Sequence, residues 1–298
     1  MYEKQLRYVM TLAEAGSFSK AADLLDIAQP SLSQYVKKVE RQLGIELFDR
    51  SGNIVRLTDG GRVYIEASRK ILELERQMES QFQDITANRC GTIRVGIAAH
   101  RSVCLMPPIV RAFRKEFPGF VVTLDERPRG QLMDAAEHGE FDLCVTTLPV
   151  DDKVFIVEPL FHEEMLLAVP TESDICIKVE DASVNGKVDV KLLDGVDFAM
   201  LNEDHLMQHK LEELISTHGL HLNKTVECTS LETLMSMVSS GLGAALVPAC
   251  MRNFSSENVT FFSVHQTIPL RDIVVIYRKG QYLTKAVKEF KSLMQRML

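Results

Sequence analysis

Residues Phe18 to Arg41, FSKAADLLDIAQPSLSQYVKKVER, constrain this chain more than any other stretch. They read as two short helices broken by a turn, the second presented outward. Leu32, Val36, Val39 and Leu43 fall at helical spacing, so they line one face that must pack on something. The opposite side carries Ser31, Gln34, Lys37, Lys38 and Arg41, with no acid until Glu40. Amides and hydroxyls of this kind bond base edges in a major groove, and the cations meet phosphates. Pro30 belongs in the first turn, where its missing N–H costs nothing, and Gln29 and Ser31 beside it occupy the end that such helices point at bases. A lone amphipathic helix with a wet polar face would look the same, so the neighbours decide. Leu6, Val9, Met10 and Ala13 form a preceding apolar stripe, and Ala21, Ala22 and Leu25 form a compact face between the two. Three short helices ending in an outward polar one make a helix-turn-helix core.

The net charge of −7 seems to argue against nucleic acid, so its distribution matters. Residues 1–58 hold eight Lys and Arg against seven Asp and Glu, and the excess of acid lies entirely beyond them. Affinity for DNA would rest on a local cluster of Lys37, Lys38, Arg41, Arg50 and Arg56, and on pairing two such heads. At 298 residues and 46% hydrophobic content the chain can bury several cores. No apolar run approaches the roughly 20 residues of a membrane span and the N-terminus is no signal peptide, which predicts a cytoplasmic location without membrane contact.

Leu47 to Thr58 reads as a strand, a turn at Ser51-Gly52-Asn53 and a second strand from Ile54 to Leu57. A hairpin after a helix-turn-helix is a wing, with Arg50 and Arg56 against phosphate; a hairpin that merely closes the small core is compatible with that. Thr58-Asp59 starts a helix of about 28 residues, roughly 40 Å long. Tyr64, Ala67, Ile71, Leu74, Met78, Gln81 and Ile85 recur at spacings of three and four, a heptad seam broken only at Gln81. Such a seam pairs with its twin in a homodimer, or else lies on the chain's own C-terminal part.

The run Gly16 to Arg62, GSFSKAADLLDIAQPSLSQYVKKVERQLGIELFDRSGNIVRLTDGGR, resembles the N-terminal signature of the LysR-type transcriptional regulators. The Ala-Ala pair, Gln29-Pro30-Ser31-Leu32-Ser33, Glu40, Leu43-Gly44, Leu47-Phe48 and Leu57-Thr58 all fall at that family's spacing. The resemblance extends over the whole chain in length and domain order. It implies a winged helix-turn-helix head at 1–58, a linker and dimerisation helix at 59–88, and a two-lobed, periplasmic-binding-protein-like α/β effector domain at 89–298. Lobe 1 would span about 91–162 and 268–298, and lobe 2 about 163–267. The DNA-contacting set expected is Ser19, Gln29, Pro30, Ser31, Ser33, Gln34, Lys37, Lys38, Arg50 and Arg56. Expected partners are double-stranded promoter DNA, a small-molecule effector and RNA polymerase, with dimers that associate into tetramers. Some relatives sense oxidants through a cysteine pair near the 200-region. Between Asp181 and Glu227 this chain has none, so Cys90, Cys104, Cys144, Cys176, Cys228 and Cys250 read as reduced, buried small hydrophobes.

Beyond Gly91 strands alternate with helices. Thr92–Ile97, a helix from Ser102 to Phe117, Val121–Asp125, a helix from Gln131 to His138 and Phe141–Thr146 give a β-α-β-α-β order and a parallel sheet. Further strands read at Glu164–Pro170, Phe198–Leu201, Thr225–Glu227, Ala244–Val247 and Ile273–Tyr277. Helices read at Asp204–His218, Leu231–Ser239 and Thr284–Met297. The resemblance has the chain cross between lobes near Phe161–Glu163 and return near Val264–Pro269. Ligands of such sheets bind beyond the carboxyl ends of strands. That nominates Ala99 at the end of the first strand, His100, Arg101 and Ser102 at the N-terminus of the next helix, Arg129, Thr146 and Thr147, and Leu201, Asn202 and Glu203. Many relatives carry a hydroxyl residue where Ala99-His100 stands, so only a small anionic or amide-bearing metabolite is predicted.

The remaining motifs are weaker. His205 and His209, four apart on an expected helix, have a metal-site spacing but lack the acid that hydrolytic zinc helices use, and a solvated or cleft-facing surface explains them better. Gly219 reads as a helix C-cap. Gly241-Leu242-Gly243 precedes a strand, not a helix, and is no dinucleotide loop. No metal or cofactor is expected, and no enzyme. The rival class, an α/β enzyme or solute binder with an accessory helical domain, would show no preference for any DNA sequence.

Overall fold

A computed structural model describes every residue except 1, 52–54, 86–89, 183–187, 204, 255–256, 265–267 and 269. The chain divides into two compact units: Met1–Thr86 with His138–Glu140, and Ala87–Glu137 with Phe141–Leu298.

The first unit is built from α1 (Tyr2–Ala15), α2 (Phe18–Leu24), α3 (Gln29–Leu43), the two-residue strands β1 (Phe48–Asp49) and β2 (Arg56–Leu57), and α4 (Asp59–Ile85). Its core joins Val9 and Leu12 of α1, Ala21 and Ala22 of α2, Leu32, Val36 and Val39 of α3, and Leu47 and Phe48. Alanines at 21 and 22 let α2 approach its neighbours closely. The turn between α2 and α3 passes through Asp26 at φ +52°, a left-handed conformation that Asp tolerates better than bulkier residues. Leu43 departs from the expected buried stripe and is exposed: α3 stops there, on Gly44 at φ +71°, whose N–H bonds the Glu40 carbonyl at 2.9 Å. The strands pair antiparallel as expected of a wing, though Gly52 and Asn53 of the anticipated turn, and Ile54 after it, lie outside the described residues. Gly61, in the first turn of α4, is required by contact: a Cβ there would stand 2.0 Å from the Leu47 carbonyl oxygen, a backbone atom that cannot yield.

The second unit runs β3 (Cys90–Ile97), α5 (Ala99–Glu116), β4 (Gly119–Glu126), α6 (Arg129–Glu137), β5 (Leu143–Thr147), β6 (Phe155–Glu163), β7 (Met165–Pro170), α7 (Asp174–Ala182), β8 (Asp197–Leu201), α8 (Leu206–His218), β9 (Asn223–Cys228), α9 (Leu231–Ser239), β10 (Ala245–Pro248), β11 (Val259–Ser263), β12 (Arg271–Arg278) and α10 (Lys285–Met297). A short 3-10 turn, Ala249–Phe254, follows β10. One sheet has the order β4-β3-β5-β12-β6. Its β4-β3-β5 part is parallel, as the β-α-β-α-β reading requires, but β12 runs antiparallel between β5 and β6, so the sheet is mixed. A second sheet has the order β10-β7-β11, and β8 with β9 is joined to it through a bridge between Phe198 and Ala244. Gly219 caps α8 at φ +64°, as expected.

Strand β6, helix α7 and strand β11 have no counterpart in the sequence reading. Pro159 lies inside β6 and disguises it; the strand tolerates the missing N–H because it is the sheet's edge, where β12 shifts register between Ile273 and Val274. From β6 the chain passes through Glu164 straight into β7, leaving one sheet for the other. Most of the return segment, 265–267 and 269, lies outside the described residues. Among the described residues no helix is long and apolar enough to cross a membrane.

Candidate nucleic-acid interface and ligand cleft

On α3 the buried stripe turns Gln29, Pro30, Ser31, Gln34, Lys37 and Lys38 outward, all exposed, with Ser33 half-buried. Ser19 on α2 and Arg56 on β2 are exposed as well. Two readings need correction. Glu40 does not interrupt an outer polar face: it is buried, and Oε1 accepts the N–H groups of Leu47 at 2.9 Å and Phe48 at 3.2 Å. Arg50 is not a free phosphate contact, because its Nη2 donates to Glu40 Oε2 at 2.5 Å and its guanidinium lies 5.2 Å over the Phe18 ring. One carboxylate therefore holds the end of α3, the start of the wing and Arg50 together. A signal existed in the sequence: an acid at the helical spacing of the apolar stripe, four residues after Val36 and ten before an arginine.

Along α4, Ala67, Ile71, Leu74, Met78 and Gln81 are exposed, Leu74 by 64%, as an unpaired seam should be, and Val63 and Phe82 are exposed beside them. Tyr64 belongs elsewhere: it packs on the helix-turn-helix core and its hydroxyl accepts from Gln5 Nε2 at 3.1 Å. The side chain of Ile85 lies outside the described residues.

The second unit encloses a cavity of about 410 Å³. The helices α5, α6, α8 and α9 all begin at its wall, with Ala99, Arg129, Leu206 and Leu231 as their first residues. Each such end offers unpaired N–H groups and a partial positive charge. His100, Arg101, Thr146 and Thr147 line the cavity as expected, as do Ala99 and Arg129, the latter with Nη2 donating to the Thr147 carbonyl at 3.3 Å. Ser102, Leu201, Asn202 and Glu203 do not. Ser102 is buried one position past the lining, and the backbone N–H groups of Leu201 and Asn202 are taken by Gln208 Oε1 and the Cys228 carbonyl. The chain reaches the cavity slightly later, at His205, Leu206 and Met207. His205 is the N-cap of α8, its Nδ1 accepting from the Met207 N–H at 3.2 Å, so it and His209 do not form a matched pair on one helix. Asp204 lies outside the described residues.

Two charged neighbours of Arg101 went unread in the sequence: Glu163, behind the cavity lining, and Arg271, within it. Glu163 Oε2 accepts from Arg101 Nη2 at 2.7 Å and also from Arg271 Nη2. Glu163 ends β6 and Arg271 begins β12, so both stand where the chain passes between the sheets, and no local pattern marks residues 108 positions apart as partners. Among the described residues, the Nε atoms of Arg101 and Arg271, Glu163 Oε1, His100 Nε2 and Glu232 Oε1 are buried without a hydrogen-bond partner. Burial, then the charges of Arg101 and Arg271, holds His100 well below the usual imidazole range, and burial likewise lowers Arg271 and His205.

His100 has a pH consequence. Its folded pKa lies below its unfolded value near 6.5, so the unfolded chain binds more protons just beneath that pH. The associated stability is complete above about 6.5 and is lost as pH falls toward the folded value. Urea unfolding across that window is expected to show a steeper loss in the parent than in His100→Gln, and parallel curves would contradict a neutral buried imidazole.

An exposed polar helix on a winged helix-turn-helix, carried by a chain whose larger unit closes around a ligand-sized cavity, defines a DNA-binding protein with an effector domain. Residues 4–62 match the family described as "Bacterial regulatory helix-turn-helix protein, lysR family", and residues 86–298 match the "LysR substrate binding domain". The chain belongs to the LysR family of transcriptional regulators, which are DNA-binding proteins with effector-binding domains and not enzymes. It is 30% identical to the "Uncharacterized HTH-type transcriptional regulator YcgK" of Bacillus subtilis (strain 168), over 99% of this chain and 94% of that one. It is 28% identical to the "Hydrogen peroxide-inducible genes activator" of Haemophilus influenzae, over 94% and 91%. Among solved structures, a full-length OxyR variant from Pseudomonas aeruginosa superposes with a TM-score of 0.68 at 25% identity, covering 99% of this chain and 94% of that one.

Proposed function

We propose that the chain acts in the cytoplasm as a one-component sensor, reading promoter DNA with the polar face of α3 and binding a small anionic metabolite in the cavity of the second unit. The observation that carries the ligand class is the convergence of four helix N-termini on one cavity that also holds Arg101, Arg129 and Arg271. Dipole and guanidinium charge together favour a carboxylate or similar anion. Glu232, at the first turn of α9 with a buried unpartnered oxygen, offers an acceptor for an amide or amino group on the same molecule. Ser19, Gln29, Pro30, Ser31, Ser33, Gln34, Lys37, Lys38 and Arg56 make the DNA surface, and Arg50 acts through Glu40. The domains are the head at 1–58, the linker helix at 59–88 and the effector part at 89–298. The α4 seam pairs two chains, which predicts a dyad-symmetric operator, and dimers assemble further into tetramers. Ligand in the cavity changes the separation or angle of the paired heads and thereby the engagement of RNA polymerase.

Electrophoretic shift on the DNA flanking its own gene tests the reading surface. Gln34→Ala is expected to lose about 1–3 kcal/mol of discrimination between that site and random competitor, whereas Lys37→Ala weakens all duplexes about equally and lowers the salt slope by about one. Parental behaviour in both variants would remove α3 from the role. Calorimetry with a panel of carboxylates and amino acids tests the cavity. Arg271→Met is expected to weaken any ligand found at least tenfold, about 1.4 kcal/mol, and unchanged affinity would place the ligand elsewhere.

A further inference from the structure

Cys104 and Cys250 are 146 positions apart in sequence and side by side in space: the Cys104 thiol donates to the Cys250 carbonyl at 3.1 Å. Cys104 lies on α5, which leads out of the five-stranded sheet; Cys250 lies in the 3-10 turn that leads out of β10 in the other sheet. Both are partly exposed, whereas Cys144, Cys176 and Cys228 are buried. Neither falls in the 200-region where the family resemblance puts a sensing pair. Pro107 and Pro108 sit inside α5. Lacking N–H groups, they withhold the helical donors that would meet the Val103 and Cys104 carbonyls, which loosens the turn that carries the thiol.

We propose that Cys104 and Cys250 form a reversible disulfide at the cost of a hydroperoxide, tying α5 to the turn after β10 and so fixing the two sheets around the cavity. Cys104 is the attacking sulfur. Cys250 beside it lowers the Cys104 pKa, the opposing influences of burial, Glu163 and Glu232 notwithstanding, while the neighbouring Cys104 and burial raise Cys250. The Cys104 thiolate attacks one peroxide oxygen; an S–O bond forms as the O–O bond breaks, and the departing alkoxide takes the thiol's proton to leave as an alcohol. Cys250 then attacks the sulfenic sulfur. The S–S bond forms as the S–O bond breaks, and hydroxide leaves as water with the Cys250 proton. Two thiols and one hydroperoxide give one disulfide, one alcohol and one water, and the two electrons pass from sulfur to oxygen. A thiol-disulfide reductant reverses it.

Full-length protein carrying Cys90→Ser, which removes the one exposed cysteine, is treated with a small molar excess of hydrogen peroxide, alkylated and analysed by intact mass and peptide mapping. The expected result, read on intact protein before alkylation, is a loss of about 2 Da, the mass of two hydrogens. The peptides containing Cys104 and Cys250 should be linked, dithiothreitol should reverse the change, and both Cys104→Ser and Cys250→Ser should abolish it. An unchanged mass, a gain of oxygen atoms without a link, or a link between other cysteines would each overturn the proposal. Because the decisive species is read in folded protein with both thiols present, instability of either serine variant leaves the test intact.

Discussion

Glu163→Ala is expected to destabilise the second unit by about 3–5 kcal/mol, because it leaves two buried guanidinium groups facing each other with no counter-charge. The side chain of Glu163 is only 1% exposed, and those of Arg101 and Arg271 only 5% and 10%. Solvent cannot screen the residual repulsion at such depth. Glu163→Gln should lose nearly as much, since shape is kept and charge is not. Arg271→Met should cost far less, because one intact pair, Arg101 with Glu163, remains. Urea unfolding of the full chain reads the series; equal midpoints for Glu163→Gln and Arg271→Met would mean that the triad is not held by charge. Its placement gives the effect functional weight, since Glu163 and Arg271 stand on the two segments through which the chain passes between sheets.

Glu40→Ala should have the second-largest effect. The Leu47 and Phe48 N–H groups would lose their acceptor while still buried, at about 1–3 kcal/mol each, and Arg50 would lose its tether. Thermal unfolding should fall accordingly, and DNA affinity should fall with it as the wing leaves its position beside α3. Glu40→Gln separates the two roles, since an amide oxygen can still accept from both backbone groups: most of the stability should return. If Glu40→Gln is as damaged as Glu40→Ala, the ion pair with Arg50, not the backbone clamp, is what organises the head.

Legibility followed the range of the forces. Helix-turn-helix, the paired strands after it and the long helix α4 were readable because amphipathic spacing and Thr58 as a start are local signals. So were the parallel β4-β3-β5 part and the helices between its strands. The edge strand β6 was hidden by Pro159, and its pairing with β12 is set only by the fold. Among the residues lining the cavity, Ala99, His100, Arg101, Arg129, Thr146 and Thr147 were reached from the rule that ligands gather at strand ends, but applying that rule to β8 stopped short of His205.

From sequence alone came the exposed polar face of α3, the exposed seam of α4 and the family, because each is written as residue type at fixed spacing along one element. Only the tertiary structure decided that Glu40 is a clamp, that Arg101, Glu163 and Arg271 share one buried carboxylate, and that Cys104 meets Cys250. Those partners are 62 to 146 positions apart, except for the seven to ten between Glu40 and Leu47, Phe48 and Arg50. A buried charge or thiol takes its meaning from what folding places against it, and no periodicity along the chain encodes that.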